Sequence, residues 1–335
     1  MSSFRSSLLF MIFMSLVVLG SSQLTNSTEA AEPLKLKTVK VNILSAFSTP
    51  QERELLYSFK RTLLNNYSIS VDENLIFWER QSNWQQQLEG NQPDLIIVIG
   101  SRSYQKVASL ELNTPMLALM LNKSQFENLK EKPKDNVYAI THSQPIVRFI
   151  QLAKSLNAYQ AQVGSFISPK TKNNIQQFSK LASFYNLSYR PIMVDPKLTG
   201  RDALKQLENC CSVMIMESDC VFRPGKVRKS ILINAYRQRM VVIAHSESVL
   251  KEGAMLTLST RPHDIGEQAA KLYQQLLSDE LQEPYQFPDS FAISINRKVA
   301  RLLGYEELTV GRLMQKVEAL QYIHHMMINR NNQTP

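Results

Sequence analysis

The chain has 335 residues, 44% of them hydrophobic and 20% charged, with a formal net charge of +9. That length allows two domains with separate cores, and that composition excludes a disordered chain. The basic excess falls in short groups (Lys35, Lys37 and Lys40; Lys226, Arg228 and Lys229; Arg237 and Arg239) with no stripe of interleaved aromatics, so it reads as solvated surface and no nucleic-acid partner is expected.

Arg5 precedes the apolar run Leu8 to Leu19, and small residues Gly20, Ser21 and Ser22 follow it. This is the pattern of a secretory signal peptide over residues 1–22, with a cut after Gly20. The run is short for a permanent span, although an uncleaved anchor stays open as the alternative. No cysteine follows it, so a lipid-anchored mature form is not expected. No stable membrane insertion and a periplasmic or otherwise exported mature protein are the expectations.

After a polar linker (21–36) the sequence settles into strand–helix alternation. Val39 to Leu44 reads as a strand and Gln51 to Asn65 as a helix. Pro93 to Gly100 is a continuous apolar run closed by glycine, the mark of a strand buried on both faces. A helix over Ser103 to Glu111 and a strand over Met116 to Leu121 come next. The rhythm then restarts with Pro145 opening a helix whose face is Ile146, Phe149, Ile150 and Ala153. Strand Ala161 to Ile167, helix Ile175 to Tyr185, strand Arg190 to Val194 and helix Asp202 to Leu207 follow in order.

The next stretch, Asn209 to Cys220, holds every cysteine of the chain: Cys210, Cys211 and Cys220. Adjacent Cys210 and Cys211 would make only a strained vicinal disulfide, and Cys220 lies roughly 30 Å further along an extended strand. No histidine is near enough in sequence to complete a metal site. The thiols therefore read as passive small hydrophobes on a strand, Cys211 to Glu217, that ends at an acidic loop.

Helix Val227 to Arg237, strand Met240 to Ala244, strand Ala254 to Leu258 and a helix opened by Pro262 continue the alternation. An extended piece within Pro284 to Ile295, a short helix Arg297 to Leu303 stopped by Gly304, and an amphipathic helix Val310 to Ile323 close the chain. This is an α/β fold with parallel sheets in two Rossmann-like lobes facing an interlobe cleft. The expected division is 38–140 with 253–283 as the first lobe and 141–252 with 284–306 as the second. Residues 307–335 form a C-terminal helical extension and tail.

Ligands of parallel sheets bind beyond the carboxyl ends of the strands, and paired lobes make a cleft. The loops there are rich in hydroxyls and amides, which nominates Ser45, Ser48, Ser101, Ser103, Asn122, Ser168, Asp219 and Ser246 as ligand-binding residues. Asp219 is the sharpest of them, a carboxylate just past a buried strand. Gly-x-Gly-x-x-Gly, P-loop, Gly-x-Ser-x-Gly and His-Glu-x-x-His patterns are absent. A serine nucleophile with His245 as base is a remote alternative, since serines after buried strands cap helices. His142 and His263 read as structural, and His324 and His325 as surface residues. No enzyme, cofactor or metal is expected.

From Tyr138 to Tyr305 the sequence resembles the ABC-transporter solute-binding proteins that include the tryptophan/tyrosine-type binders. The carrying residues are Val163 to Pro169, Met214 to Asp219, Gly253 to Leu258, Asp264 to Ala270, and Phe291 to Asn296 with Ala300 and Leu303-Gly304-Tyr305. The resemblance implies a type I periplasmic-binding fold and a small polar or amino-acid-like ligand handed to an ABC permease. Asn122-Lys123 stands where the family has Asp-Pro, and Ser168 where it has asparagine. The rival expectation is a stand-alone sensory or envelope-associated module of the same fold, with the helix from Val310 as a docking surface to a receptor. The simpler reading of that helix is that it packs back on a lobe.

Overall fold

A computed structural model of the chain describes residues 36–156, 162–167, 172, 174–193, 206, 210–217, 225–281 and 283–333. Its first sheet contains β1 (Lys37–Ser45), β2 (Ile69–Phe77), β3 (Leu95–Ile99), β4 (Met116–Leu121) and β5 (Val137–Thr141), in the order β2-β1-β3-β4-β5 with every pair parallel. The second repeats that order with β6 (Gln162–Ile167), β7 (Ser188–Met193), β8 (Val213–Met216), β9 (Val241–Ala244) and β10 (Leu256–Ser259), as β7-β6-β8-β9-β10. Each gains a sixth strand at the far edge: β11 (Tyr285–Gln286) runs parallel to β5, and β12 (Ala292–Ile295) antiparallel to β10.

Both faces of each sheet are covered, which is why β3 and β9 read LIIVI and VVIA and are buried at every position. In the first lobe α1 (Pro50–Tyr67) and α9 (Pro262–Leu277) seal one face, with Leu55, Phe59, Ile265 and Ala269 against Val39, Ile43, Ile97 and Leu119. A capping box between Thr49 and Glu52 starts α1. The short α2 (Trp84–Leu88), α3 (Ser101–Val107) and α4 (Lys123–Glu131) close the opposite face over Leu44, Ile96 and Val98. In the second lobe α5 (Ile146–Ser155) and α6 (Asn174–Phe184) lie on one face, and α7 (Gly225–Arg237) and α8 (Glu247–Glu252) on the other.

The division between lobes differs from the expected one. Residues 256–259 belong to the second sheet, because β10 is hydrogen-bonded between β9 and β12. Residues 285–286 belong to the first, because β11 extends β5. The chain therefore crosses at 142–145, at 260–261 and at 287–291. Apolar runs mark strands, but only pairing partners assign a strand to a sheet, and one sequence carries no pairing signal across such distances.

The C-terminal helices are α10 (Arg297–Leu302) and α11 (Val310–Gln333). Leu313 and Val317 of α11 are fully buried in the second lobe's core with Phe149 and Leu152, so this helix packs back on its lobe. His324 was expected at the surface; its ring is partly covered, meeting Phe184 edge-on and stacking on Tyr185, with centroids 5.1 Å and 5.9 Å away. These rings, at and just past the end of α6, meet the one face of α11 that a pairwise reading of neighbouring histidines does not reveal. The helix expected over Asp202 to Leu207 falls outside the described residues except at 206. No described helix is long and apolar enough to cross a membrane.

Candidate functional site

The carboxyl ends of β4, β5, β8 and β9 converge, and the residues just past them form the interlobe site. Lys123 opens α4, whose N-cap is Asn122; the Asn122 side chain accepts a bond from the Gln125 amide at 2.9 Å. Glu217 follows β8 directly, where parallel pairing with β6 and β9 ends. The Lys123 ammonium bonds both Glu217 oxygens across the cleft, at 3.1 Å and 3.2 Å. Their side chains are only 14% and 16% exposed, so this is a largely desolvated ion pair between lobes. Glu127, one turn along α4, lies 3.9 Å from the same ammonium. Burial holds the Glu127 carboxyl above its ordinary value, Lys123 opposes that rise, and Glu217 and Glu131 add to it.

Two histidines flank the pair in matching positions. His142, just past β5, places Nδ1 3.1 Å from the Met120 carbonyl, and His245, just past β9, places Nδ1 3.2 Å from the Met216 carbonyl. Burial pushes both imidazoles below the usual histidine range, with the backbone bonds opposing it, and their mutual repulsion lowers His245 further. With Gln144 and Phe149 these groups line a cavity of about 20 Å³, roughly the room for one water. A larger hollow of about 440 Å³ lies at the amino ends of β4 and β5, bordered by Met116 and Val137, away from these groups.

Behind the site, Gln144 gathers the three crossings. Its amide nitrogen donates to Thr260 Oγ1 at 2.7 Å and to the Ser290 carbonyl at 2.9 Å, while its oxygen accepts from Arg148 at 2.6 Å. Arg148 also donates to the Pro288 and Asp289 carbonyls at 2.6 Å and 2.9 Å. The Thr260 hydroxyl donates to the His142 carbonyl at 2.9 Å. Burial lowers the Arg148 pKa, and three carbonyl-type acceptors compensate that cost.

The nominated residues take several positions. Ser45 is buried at the end of β1 and donates to Glu52 at 2.8 Å, while exposed Ser48 accepts from Arg53 at 3.1 Å. Ser101 and Asn122 meet, since Ser101 Oγ accepts the Asn122 amide at 2.7 Å. Ser103 is buried and accepts from the Trp78 indole at 3.1 Å. Ser246 caps α8 in position only; its hydroxyl contacts Ser248 Oγ at 3.0 Å. Ser168 and Asp219 lie outside the described residues. None of the described nominated residues lines the cavity; Asn122 and Ser246 are chain neighbours of Lys123 and His245, which do, while Ser45 and Ser103 are engaged within their own lobe. Lys123, Glu217, His142 and Gln144 were not nominated. For Lys123, Glu217 and His142 the signal was adjacency, since each directly follows a buried strand or a nominated residue; Gln144, three residues past β5, carried none.

Residues 79–307 match the family described as ABC transporter substrate binding protein. No curated protein matches the chain in sequence. Among solved structures it resembles a substrate-binding protein with adhesive properties from Clostridium difficile in its ligand-free, open structure, at 15% identity and TM-score 0.64, covering 81% of this chain and 96% of that one. It also resembles an ABC domain in complex with L-Trp from Streptococcus pneumoniae, at 18% identity and TM-score 0.51, over 80% and 95% of the two chains. A conserved domain protein from Vibrio cholerae O1 biovar eltor is similar at 17% identity and TM-score 0.52, over 84% and 98%. These neighbours share the type I periplasmic-binding fold of two parallel-dominated sheets. With a family match running from before β3 to beyond β12 and through all three crossings, the chain belongs to the ABC transporter substrate-binding proteins.

Proposed function

We propose that this substrate-binding protein captures a small zwitterionic, amino-acid-like solute between its lobes, outside the cytoplasm, for delivery to an ABC permease. The observation that carries the reading is the Lys123–Glu217 pair. It sets a cation from one lobe against a carboxylate from the other, at the closing surface of a hinged molecule. A zwitterion inserted between them would exchange one ion pair for two, its carboxylate on Lys123 and its ammonium on Glu217. Because the two protein charges already compensate one another, neither is stranded when the cleft is shut. Solute entry requires the lobes to part, since the present cavity is far too small for an amino acid. That the Streptococcus neighbour of the same fold is in complex with L-Trp supports the ligand class. The apolar run of residues 8–19 supports export.

The experiment is mass spectrometry of solutes released from the mature protein, followed by calorimetry of the identified solute against Lys123→Met and Glu217→Gln. Each variant should lose about 2–5 kcal/mol of affinity, because each strands one charge of the bound zwitterion. Unchanged affinity in both folded variants would place the solute elsewhere. A sensory module without a permease is favoured by one observation only. Beyond its buried turns α11 exposes Tyr322, Ile323, Met326 and Met327, a surface suited to a protein receptor. Co-purification with a receptor in place of a permease would select that reading.

A further inference from the structure

The thiols at the entry of β8 sit at the opposite end of that strand from Glu217. Cys210 is fully buried, Cys211 is partly exposed, and both are free. Their sulfurs are 2.8 Å apart, nearer a bond than an ordinary contact of two thiols. The neighbouring strand makes room for them at Gly164. A Cβ there would lie 2.6 Å from Cys211 Sγ and 3.2 Å from Cys210 Sγ, so a side chain cannot coexist with this arrangement. Arg190 faces Gly164 across the β6–β7 register. The hydrogen bond shared with Cys211 holds the Cys210 thiol below its ordinary pKa, and the Arg190 charge helps against burial. The second proton of the pair is correspondingly hard to remove, so the Cys211 thiol is pushed up.

We propose that Cys210 and Cys211 are a reversible dithiol–disulfide pair, a modification site oxidised by small-molecule disulfides such as oxidised glutathione. Once the pair has lost one proton, its S–H···S bond can pass the remaining proton to Cys210 and leave the thiolate on Cys211. The Cys211 thiolate, the accessible sulfur, attacks one sulfur of the oxidant; the S–S bond breaks and one glutathione leaves as thiolate and takes a proton. Cys210, deprotonated in turn, attacks Cys211 Sγ, the mixed disulfide breaks, and the second glutathione leaves. Two protein thiols are oxidised and one disulfide is reduced to two thiols, so electrons and protons balance. Adjacent Cα atoms are about 3.8 Å apart across a trans peptide, short of the ordinary disulfide span of about 4.4–6.8 Å. The bond is therefore strained and easily reduced, which suits a reversible modification and not a permanent staple. The site lies at the far end of its lobe from the solute cleft and does not depend on the proposed ligand.

All three cysteines fall in the tryptic segment 206–226, so the test uses full-length Cys220→Ser protein. Samples equilibrated at graded ratios of oxidised to reduced glutathione are acid-quenched, alkylated and digested. The expected result is a segment lacking two hydrogens and unalkylated at both cysteines, restored fully by a dithiol reductant. Arg190→Gln should slow its appearance by roughly three- to tenfold without abolishing it, through loss of thiolate. Should Cys220→Ser misfold, fragmentation of the wild-type segment localises the bond instead. Full alkylation of both thiols at every ratio in folded protein overturns the proposal, as does a disulfide that always includes Cys220.

Discussion

Lys123 answers two carboxylates, Glu217 at hydrogen-bond distance and Glu127 at 3.9 Å, and that asymmetry makes the site testable one group at a time. Glu217 raises the Glu127 pKa while Lys123 lowers it. Glu217→Gln should therefore bring the Glu127 titration down, and Lys123→Met should drive it further up, read by carbon-detected NMR of the side-chain carboxyl. Shifts of the same sign in both variants would mean the three groups do not share a field. The two histidines carry a separate sign. Folding lowers both pKa values below the ordinary 6.5, so below that pH the unfolded chain binds more protons than the folded one. Stability is then full above about pH 6.5 and falls as pH drops through it toward the folded values, by about 1.4 kcal/mol per unit of depression. The groups facing them are cationic Lys123 and Arg228 and anionic Glu217. Thermal melts from pH 8 to pH 5 should fall less steeply in His245→Gln, whose amide does not titrate. Identical slopes would place the acid lability elsewhere.

Elements were legible where burial left a one-dimensional trace. β3, β9 and α9 are continuous apolar runs or clean stripes, and the sequence reading found all three. β2 was missed because it is an edge strand with four exposed residues in a row, Asp72-Glu73 among them, so it shows neither alternation nor an apolar run. β5 was missed because five residues without flanking glycine look like a turn of a longer segment. In the site, hydroxyls past strands are taken up by the structure around them: Ser101, at the start of α3, accepts the amide of Asn122, the N-cap of α4. The charges that span the lobes could not be paired, because Lys123 and Glu217 are 94 residues apart. Helix docking makes the element-level prediction. A Cβ at Gly266 of α9 would lie 2.2 Å from the Leu55 carbonyl oxygen of α1, so the backbones touch there and only glycine fits. Gly266→Ala should cost about 1–3 kcal/mol by forcing the helices apart. Leu313→Ala in α11 should cost about 2–5 kcal/mol, since its side chain is fully buried in the second core. Urea unfolding measures both, and an unperturbed midpoint for Leu313→Ala would contradict the packing of α11 on its lobe.

At the scale of the whole molecule, two hydrogen-bonded regions oppose one another across the same cleft. The ion pair Lys123–Glu217 closes it from the front, and Gln144 with Arg148 holds the three crossings together at the back. Opening must break the first while bending the second, so the stiffness of the back sets how far the lobes part. Gln144 is buried, and its amide donates to Thr260 in the second crossing and to the Ser290 carbonyl in the third while its oxygen receives Arg148. Gln144→Leu keeps the volume but leaves these partners unmatched, a loss of about 1–3 kcal/mol for each buried polar group left unsatisfied. The crossings would then bend independently, and the distribution of interlobe distances should broaden. Spin labels placed on exposed Lys130 of α4 and exposed Lys229 of α7 report that distance by pulsed electron resonance. Wild type should give a narrow distribution, Gln144→Leu a broad one, and Glu217→Gln one displaced toward longer distances but still narrow, because its back is intact. If Gln144→Leu stays folded with an unbroadened distribution, the three crossings are stiff without it, and the control of opening lies wholly in the charges that face each other across the cleft.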